Sequence, residues 1–355
     1  MDVPSPRRSL FLHAPIRRRP RAVLERLLGM VDADMPPDGP DGPVAVLERR
    51  MAGLLGKETA LFFPSGTMAQ QVALRVHAER SGRRGFAAHP YCHLDQWEKQ
   101  GYAAVHGLWF HRTGDPGELM TAQDLKAIGE PLATVLWELP QRDLGGLLPE
   151  WDDLRDQVAL ARAGGASAHL DGARLWEAQT YYRRPLEEIA GLFDTVYVSL
   201  YKSLQGSRGA VLAGDASTIA AAGVWRTRLG GAITDAWPLA LGGLAGLDTI
   251  PPQMPAFRDH AIAIAAAINA GGLARTVPDP PQTPMFHVHL PAPREAVERA
   301  GATLLAERGV QLYGRVRSVL DPRACAFEIT VGENAMDFTP DEVAGLIREL
   351  LDLVW

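Results

Sequence analysis

Ser167–Gln179, "SAHLDGARLWEAQ", runs from small and apolar residues into Asp171, turns at Gly172, and passes through Arg174 into helical spacing. A short apolar run that ends on an acid and crosses a glycine into a helix reads as a buried strand feeding a helix. Repeated along a chain, that junction builds a mostly parallel sheet covered by helices on both faces. The repetition is present. "VAVLERRMAGLLG" is helical and stops at Gly56, "TALFFPSG" is a strand ending in a turn, and "TMAQQVALRVHAER" is helical again. Further strands are predicted at 84–88, 103–105, 133–138, 168–171, 195–199 and 209–213, with helices between several of them.

The rhythm breaks at "LDTIPPQMPAFRDHA", where Pro251, Pro252 and Pro255 lead into a long Ala/Ile helix. After "VPDPPQTP" the pattern is strand, helix, strand, helix to the end. The expected division is an N-terminal segment over 1–43, a large α/β domain over 44–256 and a smaller α/β domain over 257–355. A chain of 355 residues suits one large core and one smaller one.

Composition narrows the partners. Hydrophobic residues make up 46% and charged residues 22%, ordinary values for a soluble globular chain. A formal net charge of −6 argues against nucleic acid as the main partner. No apolar run approaches the roughly 20 residues of a bilayer span. The basic start, "RRSLFLHAPIRRRPR", has too short an apolar centre for a signal peptide and is expected to be a structural arm against a partner subunit. The two cysteines, Cys92 and Cys325, cannot make a disulfide framework, which suits a cytoplasmic protein.

Several residues carry possible chemistry. Ser65, Gly66 and Thr67 lie between a strand and a helix, where backbone N–H groups and hydroxyls can cup an anion or simply cap the helix. His93 and Glu98 share "HLDQWEKQG", without metal-ligand spacing; an imidazole there could stack on a flat ring. Lys202 follows a buried strand, with Ser199 and Tyr201 before it and Gly206 and Gly209 after it. A lysine desolvated at a strand end keeps a nucleophilic amine and can form a Schiff base; the alternative is a loop lysine reaching solvent. An anion cup, a strand-end Asp and a strand-end Lys in this order fit pyridoxal 5′-phosphate. The cup takes the phosphate, Asp171 the protonated ring nitrogen and Lys202 the aldehyde.

With those motifs in view, residues 44–237 resemble the threonine aldolase and β-eliminating lyase group of pyridoxal-phosphate enzymes, with a weaker echo further on. The resemblance implies fold type I, the aspartate-aminotransferase fold, with a mostly parallel seven-stranded sheet in the large domain and a smaller C-terminal α/β domain. "GKETALFFPSGTMAQQVAL" matches the phosphate-binding segment, and "AHPYCHLDQWEKQGYAAV" resembles the segment whose histidine, here His93, stacks on the cofactor. "HLDGARLWEA" makes Asp171 the pyridine partner and Arg174 a ligand of the substrate carboxylate, while "SLYKSLQGSRGAVLAG" makes Lys202 the Schiff-base lysine beside Ser199. "VWRTRLGG" implies that Arg226 and Arg228 reach a neighbouring subunit's cofactor phosphate, hence a homodimer or homotetramer with shared sites.

The substrate half departs from the group's pattern. Ala14 and Pro15 stand where polar groups are expected, and Tyr201 replaces the usual serine. Phe327 occupies the place of a second carboxylate-binding arginine, leaving Arg315, Arg317 or Arg323 as its replacement. The implied reaction is aldol or retro-aldol cleavage of a β-hydroxy-α-amino acid, giving glycine and an aldehyde, with His93 as base. Two alternatives stay open: β-elimination from a β-substituted amino acid, and a cofactor-binding protein with altered or lost catalysis.

Overall fold

The computed structural model describes residues 5–355, so the first four residues of the N-terminal segment lie outside the described residues. The chain divides into two units. One holds Met30–Asp143 and Leu148–Pro251; the other holds residues up to Gly29 with Leu144–Leu147 and Pro252–Trp355.

The larger unit begins with α1 (Pro43–Leu54), β1 (Thr59–Phe63), α2 (Gly66–Ser81), β2 (Gly85–Ala88), β3 (Trp109–Arg112) and β4 (Thr134–Glu138). It continues through α3 (Trp151–Ala163), β5 (Ser167–Asp171), α4 (Leu175–Tyr182), β6 (Thr195–Ser199), β7 (Ala210–Gly214), α5 (Ala216–Arg228) and α6 (Trp237–Thr249). The seven strands form one sheet in the order β1-β7-β6-β5-β4-β2-β3. All neighbours are parallel except β7, which runs antiparallel to both β1 and β6. A strand covered on both faces has no solvent side to mark with polar residues. Accordingly β2, β6 and β7 are buried along their whole length. Under α2 and α5 the core packs Phe63, Val72, Val76, Tyr197, Leu212 and Ile219.

Register aligns the strand ends. Glu138 pairs with Asp171 across β4 and β5, and Asp171 pairs with Tyr197 across β5 and β6. The carboxyl-terminal ends of β4 and β5 are thereby level, and β6 runs two residues further, to Ser199.

The expected strand at 103–105 is not formed. Residues Gly101–Ala104 make one helical turn, and the strand is β3, five residues further on. Tyr102 is buried while Val105 is 59% exposed, and Gly107 at φ +63° turns the chain before the strand begins. Two apolar residues and a valine thus sit on a turn, and the sheet edge is built from the mixed run "WFHR".

The second unit carries α7 (Met254–Ala270), β8 (Arg275–Val277), β9 (Met285–Leu290), α8 (Arg294–Arg308), β10 (Val316–Ser318), β11 (Cys325–Thr330) and α9 (Pro340–Asp352). Its four strands form an antiparallel sheet ordered β10-β11-β9-β8. The segment read as an arm is tied down within this unit. Arg8–Ser9 pairs in parallel with Val310–Gln311, and Arg8 meets Glu342 at 2.6 Å. Among the described residues, no helix is long and apolar enough to cross a membrane.

Candidate active site

Helix α2 opens at the end of β1, where Ser65 is its N-cap and accepts the Met68 N–H at 3.2 Å. The remaining N–H groups of that first turn have no intrahelical partner and carry the positive end of the helix dipole. Gly66 is required by packing. A Cβ there would meet Tyr197 Oη at 2.1 Å, so the helix start lies hard against a buried phenol. Burial raises that phenol's pKa well above the ordinary value. Thr67 is exposed at the same turn.

Asp171, 1% exposed, ends β5. Its Oδ1 accepts the Ala173 N–H at 3.0 Å, and its Oδ2 accepts the side-chain amide of Gln70 from α2. One strand over, Ser199 Oγ accepts the N–H groups of Tyr201 at 3.3 Å and Lys202 at 3.2 Å, fixing the turn that presents the lysine. Burial lowers the Lys202 pKa, with the Asp171 carboxylate opposing it and the Arg174 guanidinium adding to it. Glu138, at the end of β4, is pushed up to about 8 by burial first, then by the negative charges of Asp171 and Asp143. Two carboxyl groups at neighbouring strand ends and the lysine on the turn after the next strand therefore feel one another's charge.

His93 opens the short turn His93–Gln96 and places Nδ1 3.0 Å from Glu98 Oε1. Glu98 Oε2 in turn accepts the Gln71 amide at 2.9 Å. A carboxylate only accepts, so the His93 proton sits on Nδ1 and Nε2 is left as the basic atom. Arg174 has a carboxylate of its own. Its Nη1 lies 3.0 Å from Glu177 Oε1, with side chains 6% and 1% exposed, and the same oxygen accepts the Ser203 hydroxyl at 2.7 Å. The segment after Asp171 is thus tied to the segment after Lys202.

The other anticipated residues have different surroundings. Arg226 Nη1 donates to the Phe62 carbonyl at 2.7 Å, and exposed Arg228 lies over the Trp225 ring at 4.8 Å. Arg315, in the second unit, is exposed ahead of β10. Arg317 contacts His287 Nε2 at 3.1 Å, and Arg323 pairs with Asp321 at 3.0 Å. Phe327 is fully buried with its ring 5.0 Å from that of Tyr313, so this position is core. Sequence reasoning passed over Glu138 and Gln70. The signal for Glu138 was "TVLWE", a strand ending on an acid as "SAHLD" does; for Gln70 it was a glutamine pair on the sheet-facing side of a helix.

A sheet of this order, with a buried carboxylate at a strand end and an amine and a helix N-terminus beside the strand ends, fits a pyridoxal-phosphate enzyme of fold type I. The sequence profile of the beta-eliminating lyases matches residues 21–291. The low specificity L-threonine aldolase of Escherichia coli (strain K12) is 31% identical over 259 residues, which cover 70% of this chain and 76% of that protein. Low-specificity L-threonine aldolase 1 of Arabidopsis thaliana is 27% identical over 274 residues, covering 74% and 76%. A Listeria monocytogenes structure described as an L-allo-threonine aldolase superposes with a TM-score of 0.91 at 33% identity, over 98% of this chain and 97% of that one. The chain belongs to the beta-eliminating lyase family. It is a pyridoxal-phosphate-dependent lyase of the aldolase type.

The residues present fit that cofactor. The close approach of Gly66 to Tyr197 keeps the helix start free of side chain, Asp171 is a buried carboxylate able to face a cationic ring nitrogen, and Lys202 is a desolvated amine.

Proposed function

We propose that the protein cleaves a β-hydroxy-α-amino acid into glycine and an aldehyde, or runs the reverse condensation. The observation that carries this reading is Lys202, a desolvated amine one strand from the buried Asp171 carboxylate. In this assignment Ser65, Gly66 and Thr67 hold the phosphate, Asp171 the ring nitrogen, Lys202 the aldehyde and His93 one ring face. When bound, pyridoxal phosphate supplies an electron sink for the bond that breaks at the substrate's α-carbon.

The chain's own groups do the rest. Arg174, held by Glu177, orients the substrate carboxylate, with Arg315 as the second candidate cation. His93 Nε2 takes the β-hydroxyl proton, its tautomer fixed by the Glu98–Gln71 pair. Lys202, whose pKa is lowered by burial, exchanges protons at its Nζ. The substrate and the aldolase activity follow the names of the relatives, and Arg174 and Arg315 follow the resemblance.

The same reading makes the protein a cytoplasmic homodimer or homotetramer in which Arg226 and Arg228 complete a neighbour's phosphate site. A monomer by light scattering at working concentration would count against that assembly.

The deciding experiment offers L-threonine, L-allo-threonine, phenylserine, serine and cysteine to the cofactor-loaded protein, in parallel with Lys202→Ala. Glycine plus aldehyde is expected, with loss of both turnover and the visible absorbance band in Lys202→Ala. Keto acid plus ammonia would replace the reading with β-elimination. A protein that stays colourless with added cofactor would sink it altogether.

A further inference from the structure

Asp171 is the end of a buried series of hydrogen bonds that the reaction itself does not use. Gln70 donates its amide to Asp171 Oδ2, and its Oε1 lies 3.2 Å from His169 Nε2. His169 Nδ1 lies 2.8 Å from Thr195 Oγ1, and the same oxygen lies 2.8 Å from His77 Nε2. All five side chains belong to residues no more than 3% exposed.

One placement of protons satisfies every contact. A carboxylate only accepts, so Gln70 turns its NH2 to Asp171 and its oxygen to His169. His169 Nε2 therefore carries a proton. Burial lowers His169 to about 3 and His77 to about 4, so both rings are neutral at pH 7. Neutral His169 with a proton on Nε2 accepts at Nδ1, and the Thr195 hydroxyl donates there. Thr195 Oγ1 then receives its own bond from His77 Nε2–H. Every donor points toward Asp171, and donors aligned in this way polarise one another.

We propose that His77, Thr195, His169 and Gln70 are positioning residues for the cofactor, a one-way line of dipoles that fixes the orientation of the Asp171 carboxylate toward the ring nitrogen of pyridoxal phosphate. The proposal rests on the reading of Asp171 as the ring-nitrogen partner. A merely structural role for the same residues changes stability and leaves the cofactor's affinity and spectrum alone. That contrast sets the test.

Equilibrium dialysis of pyridoxal phosphate and the visible band of the bound cofactor are measured for wild type, Asp171→Asn, Gln70→Met, Thr195→Val, Thr195→Ser and the Gln70→Met/Thr195→Val double variant. Gln70→Met removes a hydrogen bond to a charged group and is expected to weaken binding roughly ten- to hundredfold. Thr195→Val, which touches no cofactor atom, is expected to weaken it roughly two- to tenfold and to move the band. Thr195→Ser restores both. In the Gln70→Met background, Thr195→Val adds nothing, because its influence passes through Gln70. If Gln70→Met does not fold, the Val and Ser variants at Thr195 decide the matter alone. In cofactor-free wild type, long-range 1H–15N spectra are expected to show His169 as the neutral Nε2–H tautomer.

Unchanged affinity and band in Thr195→Val, additive effects in the double variant, or an Nδ1–H tautomer at His169 would each overturn the proposal. Wild-type binding by Asp171→Asn overturns the reading of Asp171, and the proposal with it; the tautomer spectrum reports the wiring separately.

Discussion

Lys202 and Glu138 are displaced in opposite directions by the same burial, because desolvation disfavours whichever form carries charge. For Glu138 the consequence is a stability penalty with a definite sign. Its carboxyl moves from an ordinary 4.5 to about 8 in the folded chain, so folding is unpenalised below pH 4.5 and loses stability as pH rises toward 8. Glu138→Gln keeps the shape and removes the charge. It is expected to raise the urea midpoint of cofactor-free protein, by more at pH 8 than at pH 5; a lower midpoint at pH 8 would contradict the account. Asp171, Lys202 and His93 stand out in the sequence as candidates because each combines a reactive side chain with a strand end or turn. Gln70 was not, since a glutamine inside a helix announces neither charge nor nucleophile, and only the fold brings its amide to Asp171. The pairing of Arg174 with Glu177 was equally hidden, being a buried contact within one helical turn.

At the level of elements, α2 owes its position to the missing side chain at Gly66. The Cβ of Gly66→Ala would fall 2.1 Å from Tyr197 Oη and 2.7 Å from Cζ, so helix and strand must part. Overpacking of this kind costs about 1–3 kcal/mol. A fall in the denaturation midpoint together with weaker cofactor binding is expected, and Tyr197→Phe in the same chain should recover part of the stability. A variant as stable as wild type would mean that the helix start is not packed as described. The central strands were readable as short apolar runs because they are covered on both faces. Strand β3 was not readable, because its exposure follows no two-residue period: Trp109 and Arg112 are exposed, while Phe110 and His111 are half-buried. The apolar "YAAV" beside it offered a stronger but false strand signal, and a glycine turn decided against it.

For the molecule as a whole, the buried histidines set the acid limit. His77 and His169 are lowered from 6.5 to about 4 and about 3, so the unfolded chain binds protons that the folded chain refuses. Stability is then full above pH 6.5 and is lost as pH falls toward 4. Each unit of displacement is worth about 1.4 kcal/mol, so the two rings together withdraw several kcal/mol. Urea midpoints measured from pH 7 to pH 4 should fall steeply, and His77→Phe should flatten the slope; a flat wild-type profile would refute the assignment of neutral rings. The α/β class and the mostly parallel sheet were legible because strand and helix periods alternate without ambiguity. What the sequence did not disclose was the pairing of Arg8–Ser9 with Val310–Gln311 across some 300 positions.

The levelling of Glu138 and Asp171 at two adjacent strand ends has a consequence for how the protein can change. Strand spacing of about 4.8 Å is set by backbone hydrogen bonds, so the separation of these two carboxyls is inherited from the sheet, whereas Lys202 depends on the turn that Ser199 fixes. Loops leaving those strands can lengthen, shorten or be exchanged while the ruler beneath them keeps its graduations. Of the altered positions, Tyr201 sits on the turn beside the lysine, while Phe327 lies within β11. In engineering terms, loops can be rebuilt around the two carboxyls without moving them, provided that the turn carrying Lys202 is kept.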